Sequence, residues 1–334
     1  MILFKGLVAA RKRQTPPFSG SQRPIDLALT GLPIVLPLRQ MKFNVVILEP
    51  QGYRFAHLLY DCARLFYHGL ENLGHQCHIH KNWFDSSCQN LVIGGHMVED
   101  SQTVASIRNG GIKYIVLQSE IFKSGTLKAA AANADNERLK KRFEEAYLPL
   151  LQGASAIWEG VSDNLTELES LGLPARFYVG GYVPELEEVS LKQERDIDFL
   201  FYGSRTPHRN NMLMQLEKLG FNVKYDFDSP SLYRNDLIAR SKVNLSIAQS
   251  EEFSHLPWGR ITYLLNNRCL VVGEACREQE WLENCFLHAS TQDWLSLCQQ
   301  TLMNPAREEI RMEHYERFRK MPMTHQLEPL LEGM

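Results

Sequence analysis

At 334 residues, with 44% hydrophobic and 22% charged side chains, the chain has a globular composition and room for two domains of ordinary size. A formal charge of -3 argues against a general nucleic-acid binder, which needs a net basic face. No apolar run approaches the roughly 20 residues that span a bilayer, and seven cysteines without Cys-x-x-Cys spacing fit buried free thiols in a reducing, cytoplasmic protein.

Residues 1–40 differ from the rest. They hold Lys5, Arg11, Lys12, Arg13, Arg23 and Arg39 against Asp26 alone. Such a segment has the charge of a transit peptide or a membrane-surface arm. Met41, however, opens a clean strand, so the leader is expected to be disordered or a start-site extension.

From Met41 onward, strand and helix patterns alternate, which predicts parallel sheets covered by helices. Phe43–Leu48 reads as a strand. Phe55, Leu58, Leu59, Cys62, Leu65, Phe66, Leu70 and Leu73 form one helical stripe that Gly74 closes. Short strands are predicted at 76–80, 90–94 and 113–117, then one long charged helix over 136–151 and strands at 155–159 and 176–179. The Pro-, Glu- and Lys-rich stretch 184–195 reads as a linker. A second series begins at Asp196: a strand at 199–202, a helix at 210–219, a strand at 222–225, a helix at 232–241 and a strand at 243–248. A helix at 257–267 with Pro at its first position and a strand at 270–272 follow. The chain therefore divides into a leader (1–40), a Rossmann-like half (41–183), the linker (184–195) and a second Rossmann-like half (196–334). The last helix is a candidate to cross back to the first half.

In open α/β sheets, ligands bind beyond the carboxyl ends of the strands. The turn after the first strand, Glu49-Pro-Gln-Gly-Tyr-Arg54, lacks Gly-x-Gly-x-x-Gly, which argues against a dinucleotide there. The second half is richer. Gly203 and Ser204 end a strand, with Arg205 and Arg209 crowded at the helix start behind them. Arg260 stands in the first turn of another helix, after a loop that carries Glu252. Cations at helix N-termini are unfavourable unless an anion sits between them, so these residues point to a phosphate-bearing ligand. Glu274, at a strand end, is a candidate for ribose hydroxyls. The histidines form no metal-ligand spacing, and no metal or cofactor is expected.

Several strings resemble the CgeB-like, spore-maturation type glycosyltransferases. They are Gly153-Ala-Ser-Ala-Ile-Trp158, Ser162-Asp-Asn164, Gly180-Gly-Tyr-Val-Pro184, Asp196-Ile-Asp-Phe-Leu-Phe-Tyr-Gly-Ser204, Arg234-Asn-Asp-Leu-Ile-Ala-Arg-Ser-Lys242, Asn244-Leu-Ser and Arg260-Ile-Thr-Tyr-Leu-Leu265. The resemblance implies a GT-B fold, two Rossmann-like domains facing across a cleft. It also implies a nucleotide-sugar donor held mainly by the second domain without an obligatory metal, and an acceptor of unknown kind. Leu256 and Pro257 stand where the family commonly has Phe-Glu, and Arg260 stands where many GT-B enzymes have a second glutamate. Those departures keep two alternatives open: a non-catalytic nucleotide- or glycan-binding module, and a nucleotide-sugar epimerase. For a transferase, His57, His96 and Glu120 are the acid–base candidates on the first domain.

Overall fold

The computed structural model describes residues 40–50, 55–121, 136–282 and 284–334. The chain divides into two units between Arg39 and Gln40, and the basic leader lies outside the described residues.

The first lobe runs β1 (Lys42–Ile47), a 3-10 turn (Ala56–Leu59), α1 (Tyr60–Asn72), β2 (Gln76–Lys81), β3 (Gln89–Ile93), α2 (Ser101–Asn109) and β4 (Tyr114–Gln118). It continues with α3 (Asn136–Arg142), a π-turn (Phe143–Tyr147), α4 (Leu148–Gln152), β5 (Ala156–Glu159), α5 (Asn164–Ser170) and β6 (Ala175–Phe177). The strands β1, β3 and β4 are buried almost throughout because helices cover both faces of a parallel sheet. The second lobe runs β7 (Ile197–Tyr202), α6 (Pro207–Lys218), β8 (Val223–Asp226), α7 (Ser231–Ala239), β9 (Ser241–Ser246), α8 (Trp258–Asn266), β10 (Val271–Glu274) and β11 (Leu287–Ala289). Three helices close the chain: α9 (Trp294–Met303), α10 (Arg307–Phe318) and α11 (Met323–Leu331).

The first sheet has the order β2-β1-β3-β4-β5-β6 and the second β11-β10-β9-β7-β8. All pairings are parallel. Counted from its own first strand, each sheet begins 2-1-3-4-5, so each has a switch point between its first and third strands. Ligands collect at such points, because the loops diverge there and leave a crevice. This is the GT-B arrangement, two Rossmann-like lobes across a cleft.

The lobes share a core. Phe66, Trp158 and Tyr178 of the first lobe cluster with Trp258, Ile261 and Leu264 of the second. Trp258 sits edge-on to Phe66 and Tyr178, with ring centroids 6.3 and 5.0 Å away. Its indole therefore serves packing between the lobes. The helix α11 returns to the first lobe and lies on Gly69 of α1, where an added Cβ would strike Met323 and Leu327. No helix among the described residues is long and apolar enough to cross a membrane.

Candidate functional site

A cavity of about 410 Å³ opens between the lobes at both switch points. The first lobe contributes Phe55, His57, Leu58, Asp61 and Cys62, from the turn after β1 and the start of α1. The second contributes Tyr202, Gly203 and Ser204 after β7, residues 226–229 after β8, Ser231 and Arg234 of α7, and Gly259 and Arg260 of α8.

Gly203 has φ +145°, a conformation that L side chains avoid, and a Cβ there would also collide with Nη2 of Arg260. The turn is tied down on both sides. Its N–H donates to Asp226 O at 3.0 Å, and its carbonyl accepts from the Tyr225 hydroxyl at 2.8 Å. Thr206 caps α6 by accepting from the Arg209 N–H at 3.2 Å, and Pro207 holds the first helical position. Arg209 is buried and spent on the same turn. Its Nη1 donates to the Ser204 carbonyl and hydroxyl, both at 2.9 Å, and its Nε to the carbonyls of Ile247 and Ala248. Burial, and then the charge of Arg260, push the Arg209 guanidinium down to about 9.

Arg260 is different. Its guanidinium stacks on Phe201 at 4.8 Å. Its Nε and Nη1 are buried with no hydrogen-bond partner among the described residues. Burial lowers its pKa from the ordinary arginine value, and the causes of that shift include no carboxylate. Glu251 and Glu252 point to solvent. Two donors of a cation held out of solvent without acceptors are costly, and an anion in the cleft would relieve the cost. Arg234, by contrast, is paired with Asp61 across the cleft; burial works to lower its pKa, but Asp61 together with Tyr202 and Tyr263 outweighs burial and raises it.

His57 stands on the 3-10 turn ahead of α1 and faces the cavity. Its Nε2 lies 3.2 Å from Oδ1 of Asp228, which the opposite lobe supplies. His57, Gly203, Ser204 and Arg260 thus meet in one cavity.

The other candidate residues lie elsewhere. Arg205 lies over the Tyr225 ring at 4.1 Å, by a separate hollow. Glu252 lines a different opening between the lobes, with Asp163, His255 and Arg277. Glu274 is buried and engaged by His208 (3.0 Å), the Ala248 N–H (2.8 Å) and the Thr291 hydroxyl (2.9 Å). His96 and Glu120 meet each other at 3.5 Å at the ends of β3 and β4, away from this cavity. Burial lowers the pKa of His96, with Glu120 opposing. Among the described residues no group of three or more His, Cys, Asp or Glu is placed to hold a metal ion.

No family model matches the chain, and no curated protein sequence does. Among solved structures it is similar to AviGT4, a glycosyltransferase of avilamycin A biosynthesis, at 15% identity and TM-score 0.49 over 88% of this chain and 99% of that one. It is similar to the α,α-trehalose 6-phosphate synthase of Burkholderia multivorans at 11% identity and TM-score 0.46, over 83% of this chain and 75% of that one. A Listeria monocytogenes protein provisionally described as a UDP-N-acetylglucosamine 2-epimerase follows at 8% identity and TM-score 0.44, over 87% of this chain and 95% of that one. At such values these likenesses do not bear on the reaction. The fold rests on the two strand orders.

Three polar residues of consequence escaped the sequence reading. Asp228 meets His57 across the lobes. Glu159, at the end of β5, is buried with Oε2 unpartnered among the described residues. Glu278 binds Ser162 of the first lobe through both its hydroxyl (2.6 Å) and its N–H (3.2 Å). For Glu159, a charged residue closing an apolar strand was the available signal. The other two contacts join residues more than a hundred positions apart and have no local signature.

Proposed function

We propose that the chain is a glycosyltransferase of the CgeB-like type. It takes a nucleoside-diphosphate sugar in the cleft and passes the sugar to an acceptor hydroxyl. Arg260 carries this reading: a half-buried arginine whose Nε and Nη1 are out of solvent with no hydrogen-bond partner among the described residues, beside a glycine turn shaped around it. A diphosphate fits that demand. It brings negative charge and acceptor oxygens to the N–H groups of Arg260, with Ser204 and the Gly203 backbone on the other side. The guanidinium offsets the charge that grows on the leaving diphosphate, so no divalent metal is required. Arg209 serves by fixing the turn. Ribose hydroxyls would reach Glu274 by replacing Thr291. Arg205 and Glu252 are assigned to the outer parts of the donor, His96 and Glu120 to the acceptor side.

In the transfer step His57 removes the acceptor proton and the acceptor oxygen bonds to the anomeric carbon. The bond from that carbon to the diphosphate oxygen breaks, and its electron pair leaves with the nucleoside diphosphate. One displacement of this kind inverts the anomeric centre. Cys62, Cys77, Cys88, Cys269, Cys285 and Cys298 are free thiols, which fits work in a reducing cytoplasm.

The test is thermal unfolding with uridine, guanosine and thymidine diphosphates, in the presence of a chelator. One of them, at about a hundred times its dissociation constant, should stabilise the fold by about 2.7 kcal/mol. Arg260→Ala should weaken that nucleotide about ten- to a hundredfold, the value of one charge-assisted contact. No shift with any nucleotide at millimolar concentration removes the donor site. Binding without slow donor hydrolysis would favour the non-catalytic module.

A further inference from the structure

We propose that Asp226, steadied by Ser229, reads the hydroxyls of the sugar to be transferred, and so restricts the donor to nucleoside diphosphates of neutral, hydroxyl-bearing sugars. This rests on the donor reading above and deepens it.

Asp226 ends β8 and lines the cavity between the lobes, yet only 6% of the residue is exposed. Ser229, on the same wall, donates its hydroxyl to Oδ1 of Asp226. No Lys, Arg or His pairs with this carboxylate among the described residues, and Arg234 of the same cavity is taken by Asp61. A carboxylate set so deep is costly without donors, and it can only accept hydrogen bonds. This wall of the cavity therefore suits the O–H groups of a ligand and repels a phosphate.

The backbone decides which part of the donor meets it. Asp226 lies opposite Tyr202 in the parallel pairing of β7 and β8. Its carbonyl accepts the Gly203 N–H at 3.0 Å, so the carboxylate and the turn assigned to the diphosphate are held on neighbouring strands. The ribose side of the diphosphate is assigned to Glu274, which leaves the sugar side for Asp226. Hydroxyls on two adjacent sugar carbons offer a pair of donors that one carboxylate can accept. A uronic acid would instead bring a second carboxylate to this wall and be repelled.

The test is calorimetric titration of the full-length protein with UDP, GDP and dTDP, then with UDP-glucose, GDP-mannose and dTDP-glucose. Asp226→Asn keeps the size and an oxygen for Ser229. It should weaken the sugar nucleotide that binds about ten- to a hundredfold, while the same nucleotide without its sugar binds no more weakly. Ser229→Ala should show the same selective loss, smaller in size. Wild type should bind UDP-glucuronate or GDP-mannuronate about tenfold or more below the neutral partner, a comparison that stands even if a variant misfolds. Equal losses with and without the sugar overturn the assignment, since Asp226 would then serve the nucleotide or the turn. Equal wild-type affinity for neutral and acidic sugars overturns it too. Failure of every nucleotide to bind the wild type defeats the donor reading itself, and this inference falls with it.

Discussion

Glu159 shows what one residue can impose. It ends β5 with its side chain wholly out of solvent. Its Oε1 accepts the Val161 N–H at 2.8 Å, and Oε2 finds no partner among the described residues. Burial raises its pKa from 4.5 to about 8, against the opposing hydrogen bonds. Because the folded value lies above the unfolded one, its contribution to stability is complete below about pH 4.5 and is lost as pH rises through 8. Glu159→Gln imitates the protonated acid. It should match the wild type near pH 5 and exceed it by about 1–3 kcal/mol at pH 9, read as the difference in urea midpoints. A variant less stable at pH 9 would show that the carboxylate is held ionised. Residues of this kind mark the limit of the sequence. Gly203, Ser204, Arg260 and His57 were legible because each follows a strand end, where loops converge. Asp228 was not, since its approach to His57 exists only once that residue, 171 positions earlier, is folded against it.

The elements were largely legible, because two-faced burial of a parallel sheet forces apolar runs of strand length. Two departures have physical causes. Residues 136–151 read as one helix, but the structure inserts a π-turn at Phe143–Tyr147, where Leu148 donates to the Phe143 carbonyl. Pro149 has no N–H to offer the carbonyl four residues back, so the hydrogen-bond register slips just before it. The helical stripe beginning at Phe55 also starts as a 3-10 turn, and His57 stands on that turn. At the other end of the chain, α11 is held as a strap. Tyr182 N–H donates to Met321 O at 2.8 Å, and Met323 N–H donates to Tyr182 O at 2.9 Å. Arg176 reaches the carbonyls of Pro329, Leu330 and Glu332. A Cβ at Gly181 would lie 2.8 Å from Met321 O and from the backbone of Met323. These are rigid atoms, so Gly181→Ala should cost about 2 kcal/mol or more and make the last helix sensitive to protease. An unchanged urea midpoint with a protected C-terminus would mean the strap yields without loss.

At the scale of the whole molecule, two Rossmann-like lobes would be free to rock unless their interface is large and apolar or chemically pinned. Here both hold. The shared aromatic core around Trp258 supplies area, and Glu278 supplies a pin far along the cleft. From the second lobe it accepts from the Ser162 hydroxyl of the first (2.6 Å), pairs with His255 Nδ1 (2.9 Å) and accepts the Leu256 N–H (2.9 Å). Burial works to raise its pKa, but the bonds from His255, Ser162 and Leu256 outweigh burial and hold it near about 2. The folded value lies below the unfolded 4.5, so the stability it contributes is complete above about pH 4.5 and is lost as pH falls through 2. The gap corresponds to about 2–3 kcal/mol. Glu278→Gln keeps the size and removes the charge. Near pH 7 it should be less stable by about that amount, and the deficit should shrink steadily below pH 4. Hydrogen exchange at residues 161–164 and 254–258 should quicken in the variant while the strands β1 and β7 keep their protection, because the pin joins loops and leaves the sheets intact. A deficit that does not change with pH would mean that Glu278 holds the lobes by packing, and its charge would then have no part in joining them.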